Sequence, residues 1–219
     1  MVLTIDHVPN MMSLGANALA ELTATLSRLH AVFEADGGGH ALVFERYAAL
    51  RHRGGNHAHV NVVPLPASVR CEEAALRIAA FASQGASPRA FQILTAPETC
   101  ETYADRVTFA LDSARAACQG KALRGADLEY VWFLTANGTM LLHTVPAGTR
   151  MDLSFPRMAV AHLLGCPERA DWRTCQAAGG EEEETRLTEE FRGMLEKQGV
   201  AAEEGGGGGG ADTGPPTAV

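Results

Sequence analysis

The chain has no apolar run of about 18 residues, the least a helix needs to cross a hydrocarbon core, so no membrane span is expected. Met1-Val2-Leu3-Thr4-Ile5 is too short for a secretory signal and has no basic start. The five cysteines (Cys71, Cys100, Cys118, Cys166, Cys175) are odd in number and include no C-x-x-C pair. Reduced thiols in a cytosolic or nuclear protein fit that count better than a disulfide frame. No serine sits in a G-x-S-x-G setting: Ser13, Ser68 and Ser154 all lack it. Gly37-Gly38-Gly39 lies between a helix and a strand, the wrong order for a dinucleotide loop, and reads as a helix stop.

A broad basic surface is missing too. The net charge of −8 comes from 26 acids and 18 bases. Ten of the acids and three of the bases lie in residues 179–219, which leaves 16 and 15 for residues 1–178. The N-terminal part is nearly neutral, so any contact with nucleic acid rests on a local cluster.

What is present fits one large domain or two small ones, since 219 residues at 46% apolar content can bury a core. Val2 to Ile5 reads as a strand that begins with no lead-in, which suggests a chain truncated at its N-terminus. Leu14, Ala18, Leu22, Leu26, Leu29 and Phe33 recur at three and four, predicting a helix capped by Ser13 or Asn17. Ala41–Tyr47 and the stretch from His57 to Val63 read as an antiparallel strand pair joined by a basic loop, with Pro64 and Pro66 ending the second. A helix from Ser68 towards Gly85 follows. Residues 97–127 look like a linker or insertion, although Val107, Leu111, Ala114 and Cys118 have helical spacing. Asn137-Gly138 between two strand-like runs predicts a hairpin with a type I′ turn. Helices are expected from Phe155 to Leu164 and from Glu181 to Gln198, and the Gly-rich residues 199–219 should be disordered.

Polar chemistry repeats with a strict period in one place, His57-Ala58-His59-Val60-Asn61-Val62-Val63. A strand sends alternate residues to one face, so His57, His59 and Asn61 form a polar row backed by Ala58, Val60 and Val62. Four readings fit the row. His59 can act as a nucleophile on phosphorus, with His57 or Asn61 orienting or donating. The imidazoles can share a metal, but no third ligand has a recognisable spacing. The row can bind a phosphodiester without turnover, together with Arg46, Arg51 and Arg53. Or it is a solvated strand face. Lone histidines such as His143 and His162 read as packed or hydrogen-bonded, and Trp132 and Trp172 as packing anchors.

The row resembles the histidine-triad signature H-φ-H-φ-H-φ-φ, with Asn61 in the third place. Some nucleotidyl transferases of that superfamily carry glutamine there, and its nucleophile is the middle histidine, His59 here. Phe44-Glu45-Arg46 and the row ending Val63-Pro64-Leu65-Pro66 resemble the first block of the CwfJ family of splicing-associated proteins. Met140-Leu141-Leu142-His143, Phe155-Pro156-Arg157, Leu163 through Cys175 with its D-W-R-x-C segment, Glu181–Glu184 and Phe191-Arg192 resemble the second. Ile5-Asp6-His7-Val8-Pro9 is similar to the family's opening strand. Pro156 stands where the family usually has glycine, and no metallophosphatase-like N-terminal region is present.

The resemblance implies an α+β fold, a histidine-triad-like antiparallel sheet with flanking helices and a C-terminal CwfJ-type extension. It divides the chain into residues 1–96, 97–127, 128–198 and 199–219. The implied role is RNA binding in intron-lariat handling or late spliceosome turnover, assisting debranching in the nucleus. Branched or lariat RNA and spliceosome or debranching-enzyme proteins are the expected partners, with no cofactor, metal or membrane. Many family members have a degenerate triad, which favours binding over turnover. The expected phosphate contacts are His57, His59, Asn61, Arg46, Arg51 and Arg53, then Arg157 and Arg173. The alternatives are a nucleotide hydrolase or transferase acting through His59, and a protein-docking module.

Overall fold

The computed structural model describes residues 1–48, 57–84, 89–119, 129–146, 149, 151–171, 173 and 180–198. Its sheet has six strands in the order β1-β3-β2-β5-β6-β4, all neighbours antiparallel. They are β1 (Val2–Leu3), β2 (His40–Tyr47), β3 (His59–Leu65), β4 (Gln92–Thr95), β5 (Glu129–Thr135) and β6 (Thr139–Val145). Among the described residues five α-helices accompany it: α1 (Ala16–Ala35), α2 (Cys71–Ser83), α3 (Tyr103–Gln119), α4 (Phe155–Leu163) and α5 (Gly180–Lys197). The α+β class expected from the sequence is the class found. Strands from either side of residues 97–127 share this sheet, and α3 lies within that stretch.

Alternation along the strands divides the core in two. Ala41, Val43, Val60, Tyr130, Trp132, Leu134, Met140 and Leu142 face α1 and α3. Leu42, Phe44, Leu65, Val131, Phe133 and Leu141 face α2 and α4. Trp132 is fully buried and packs as an anchor; Trp172 lies outside the described residues.

Helix α1 buries Leu19, Leu22, Thr23, Leu26 and His30, so its stripe is turned slightly from the one drawn through Ala18 and Leu29. The apolar count missed the turn because His30 goes in through hydrogen bonding: its Nδ1 accepts the Ala41 N–H at 3.3 Å. Neither Ser13 nor Asn17 caps the helix. Met11–Ser13 forms a 3₁₀ turn and Gly15 is the N-cap, with no side-chain bond. Helix α3 has the stronger start. Thr102 Oγ1 accepts the Asp105 N–H at 3.1 Å while Asp105 Oδ2 accepts the Thr102 N–H at 3.1 Å, a reciprocal capping box.

The β5–β6 hairpin forms at Asn137-Gly138 as expected, with a different turn. Its loop has three residues, closed by the Gly138 N–H donating to the Thr135 carbonyl at 2.9 Å, and Gly138 has φ 84°. A single left-handed glycine after a tight turn is the bulged three-residue solution, which matches strand twist as well as type I′ does.

Glu45 ties the N-terminal segment to the sheet. Its carboxylate accepts the Met11 N–H at 2.9 Å, the Tyr130 O–H at 2.8 Å and the Trp132 Nε1–H at 2.9 Å. A buried carboxylate is tolerable only when donors satisfy it.

Candidate phosphate-binding face

The register of β2 and β3 pairs Phe44 with Asn61. Two residues further along each strand, on the same face, lie Arg46 and His59. Arg46 is opposite Val131 on β5, Val131 is opposite His143 on β6, and Leu3 of β1 is opposite His59. Leu3 and His59 thus share one rung and Arg46, Val131 and His143 another, and continuing the β2–β3 register two residues past Phe44–Asn61 aligns the two, at the end of the face away from the β5–β6 turn. The row has the predicted orientation: Ala58 and Val60 are buried, while His57, His59 and Asn61 stay half-exposed. Neighbouring side chains on a rung are about 5 Å apart at Cβ, so His59 and Arg46 can touch one phosphate group.

Backbone carbonyls orient the imidazoles. His57 Nδ1 lies 3.0 Å from the Thr4 oxygen, and His59 Nδ1 lies 3.4 Å from the His57 oxygen. A carbonyl only accepts, so Nδ1 carries the proton in both rings and Nε2 is left for a ligand. His143, on the same rung, is held likewise, its Nδ1 donating to the Ala90 carbonyl at 2.9 Å.

Arg46 is half-buried. Burial pulls its guanidinium below the ordinary value, against the opposing charges of Glu129 and Asp152. Asp152 also faces Arg89, and the N–H and hydroxyl of Ser154 hold its carboxyl below the usual range. Arg89 in turn covers the Phe155 ring, 4.2 Å from its centroid. Arg46, Asp152 and Arg89 thus form a charged chain from the rung to the start of α4.

Arg157 and Arg173 are elsewhere. They line a cleft of about 660 Å³ with Leu153, Ser154, Met158 and Asp171, between α4 and the 3₁₀ turn Pro167–Ala170. Arg173 pairs with Asp171 at 3.6 Å. Arg51 and Arg53 lie outside the described residues. The structure therefore joins His57, His59, Asn61 and Arg46 and sets Arg157 and Arg173 apart.

Sequence reasoning missed three residues here. His7 lies against His57, ring centroids 4.3 Å apart. Arg89 and Asp152 come from loops, with no period to give them a face. Among the described residues, no group of three or more His, Cys, Asp or Glu could hold a metal ion.

Residues 108–197 match the family described as "Protein similar to CwfJ C-terminus 2". The chain is 27% identical over 197 residues to zinc finger CCCH domain-containing protein 64 of Arabidopsis thaliana, covering 90% of this chain and 29% of that protein. It is 26% identical over 196 residues to CWF19-like protein 1 of Mus musculus, covering 90% and 31%. A shorter segment of 66 residues is 36% identical to CWF19-like protein mug161 of Schizosaccharomyces pombe, covering 30% and 11%. The chain spans about three tenths of the length of the first two of these relatives.

Proposed function

We propose that this chain, as a member of the CwfJ family, is a splicing-associated RNA-binding module of the nucleus, acting in intron-lariat handling and assisting debranching. The observation that carries this reading is the β2–β3 register, which directs Arg46, His59 and Asn61 to one half-exposed end of the face that α2 and α4 cover. Asn61 extends the contact along β3 and His57 just before it, and the basic stretch with Arg51 and Arg53 follows β2 in sequence. The histidine-triad resemblance supports a phosphate as the group received there. A half-buried arginine shared with Asp152 and Glu129 suits a few well-placed phosphate contacts better than a long electrostatic track.

Binding of branched RNA to wild type and to the double variant His57→Ala, His59→Ala tests the proposal. Weaker binding by the variant supports it. Equal affinity, with the fold intact, removes the row as the contact surface.

One observation favours a second reading, a nucleotide hydrolase or transferase. The carbonyl contact at Nδ1 leaves His59 Nε2 directed to attack a phosphoanhydride. Incubation with labelled dinucleoside polyphosphate or adenosine phosphoramidate then gives a phospho- or nucleotidyl-histidine that is lost in His59→Ala. Absence of both label and turnover eliminates that chemistry.

A further inference from the structure

A second chemical cluster occupies the opposite end of the sheet, beside the β5–β6 turn. His40 opens β2 and Cys71 opens α2. His40 Nε2 is 2.6 Å from the Val69 carbonyl oxygen, and Nδ1 is 3.9 Å from Cys71 Sγ. Because the carbonyl only accepts, Nε2 carries the ring proton and the Nδ1 lone pair faces the thiol. The N–H groups of Ala136 and Asn137 point at the same sulfur. The Tyr103 hydroxyl, within electrostatic reach of the thiol, is buried and has no hydrogen-bond partner among the described residues.

Nucleophile, oriented base and donors for a developing negative charge are the three parts of an activated thiol. Burial raises the Cys71 thiol and lowers the His40 imidazole, so both rest neutral, with an S–H donor facing a basic nitrogen. The charged groups around the pair are Glu34 from α1, which faces both His40 and His30, Glu72 beside Cys71 on α2, and Arg106 from α3. An orphaned buried hydroxyl is costly unless something fills it. An oxygen atom on Cys71 sulfur would accept the Tyr103 O–H.

We propose that Cys71 is an oxidation site for hydrogen peroxide, with His40 as its base and Tyr103, Ala136 and Asn137 as donors to the sulfenate formed. His40 Nδ1 takes the thiol proton, and the thiolate attacks one peroxide oxygen. The S–O bond forms as the O–O bond breaks, and the leaving hydroxide takes the proton back from His40. Sulfur is oxidised, peroxide is reduced, and the products are Cys71 sulfenic acid and water. Cys71 is half-buried rather than enclosed.

The test uses the intact chain with limiting hydrogen peroxide, trapping by dimedone, and peptide mass spectrometry at each cysteine. Cys100 and Cys166 are also half-buried and serve as internal controls. Cys71 should be labelled first. His40→Gln should slow its labelling about 100-fold, the low end of what general-base assistance contributes. Tyr103→Phe should leave the first oxidation intact and hasten onward conversion to the sulfinic acid. Labelling of Cys71 no faster than Cys100 and Cys166 overturns the proposal, and that comparison needs no variant. An unchanged rate in folded His40→Gln overturns it as well.

Discussion

The Glu45 carboxylate accepts the backbone N–H of Met11 at 2.9 Å, so a side chain of β2 fixes a segment 34 residues earlier in the chain. That segment carries His7 onto His57 and the Thr4 carbonyl onto His57 Nδ1. The support of the polar row thus runs back to a buried acid on the other face of the sheet.

Glu45 should make stability depend on pH. Burial pushes its carboxyl up to about 7, against the pull of its three donors. The folded state therefore holds this proton to a higher pH than the unfolded chain, whose carboxyl titrates near 4.5. The contribution is complete below the unfolded value and is lost as the pH rises through about 7, amounting to about 3 kcal/mol. Urea midpoints measured from pH 4 to 8 on wild type and Glu45→Gln check this. The wild type should lose this component with rising pH and the variant should not. At low pH, Glu45→Gln should be weaker by about 1–3 kcal/mol, because an amide N–H then meets the Tyr130 and Trp132 donors.

Gly138 and Gly165 both have positive φ, 84° and 72°, but only one is crowded. A Cβ at Gly138 would lie 2.6 Å from Ala96 Cβ and 3.0 Å from Arg106 Cβ, whereas Gly165 has nothing within 4 Å. Gly165→Ala should cost about 1–2 kcal/mol, for the backbone alone. Gly138→Ala should cost about 2–5 kcal/mol, because overpacking adds to the same backbone strain. Equal losses on thermal unfolding would contradict the packing of α3 on the hairpin.

Asp152 restrains two guanidinium groups, so removing its charge should strengthen RNA binding while Arg46→Gln weakens it. The logarithmic salt slope should become less negative by about 0.7 in Arg46→Gln, one phosphate contact on a single strand. Fluorescence titration of a branched oligonucleotide at several salt concentrations measures both. Weaker binding by Asp152→Asn would place the contact elsewhere.

Helix α5 touches α1 through Phe33 and Phe191, ring centroids 6.5 Å apart, and buries no residue of its own. Phe191→Ala should speed amide exchange across Gly180–Lys197 and leave Tyr130–Leu134 protected, at a cost of about 1 kcal/mol. Slower or unchanged exchange in α5 would show that it is held by other contacts.

Several elements were legible because they rest on local rules. The alternation that put Ala58 and Val60 inside and His57 and His59 at the surface is a property of extended backbone. Asn137-Gly138 announced the hairpin, though its twist was settled as a bulged loop by strand geometry. The Thr102-x-x-Asp105 start of α3 is just as local, yet the reading of residues 97–127 as a linker or insertion passed over it. The burial of His30 and Glu45 was not readable, because their partners stand 11 to 87 residues away.

By itself, then, the sequence determined which face of β3 each residue takes, the place of the β5–β6 turn and the family resemblance, which implied the α+β class. These follow from the period of the chain and from short motifs. Only the tertiary structure decided that Arg46 stands beside His59 while Arg157 and Arg173 line another cleft. It alone brought His40 and Cys71 together at the far end of the sheet. The reason is register: pairing between distant strands fixes which side chains share a rung, and no local period of a single chain encodes it.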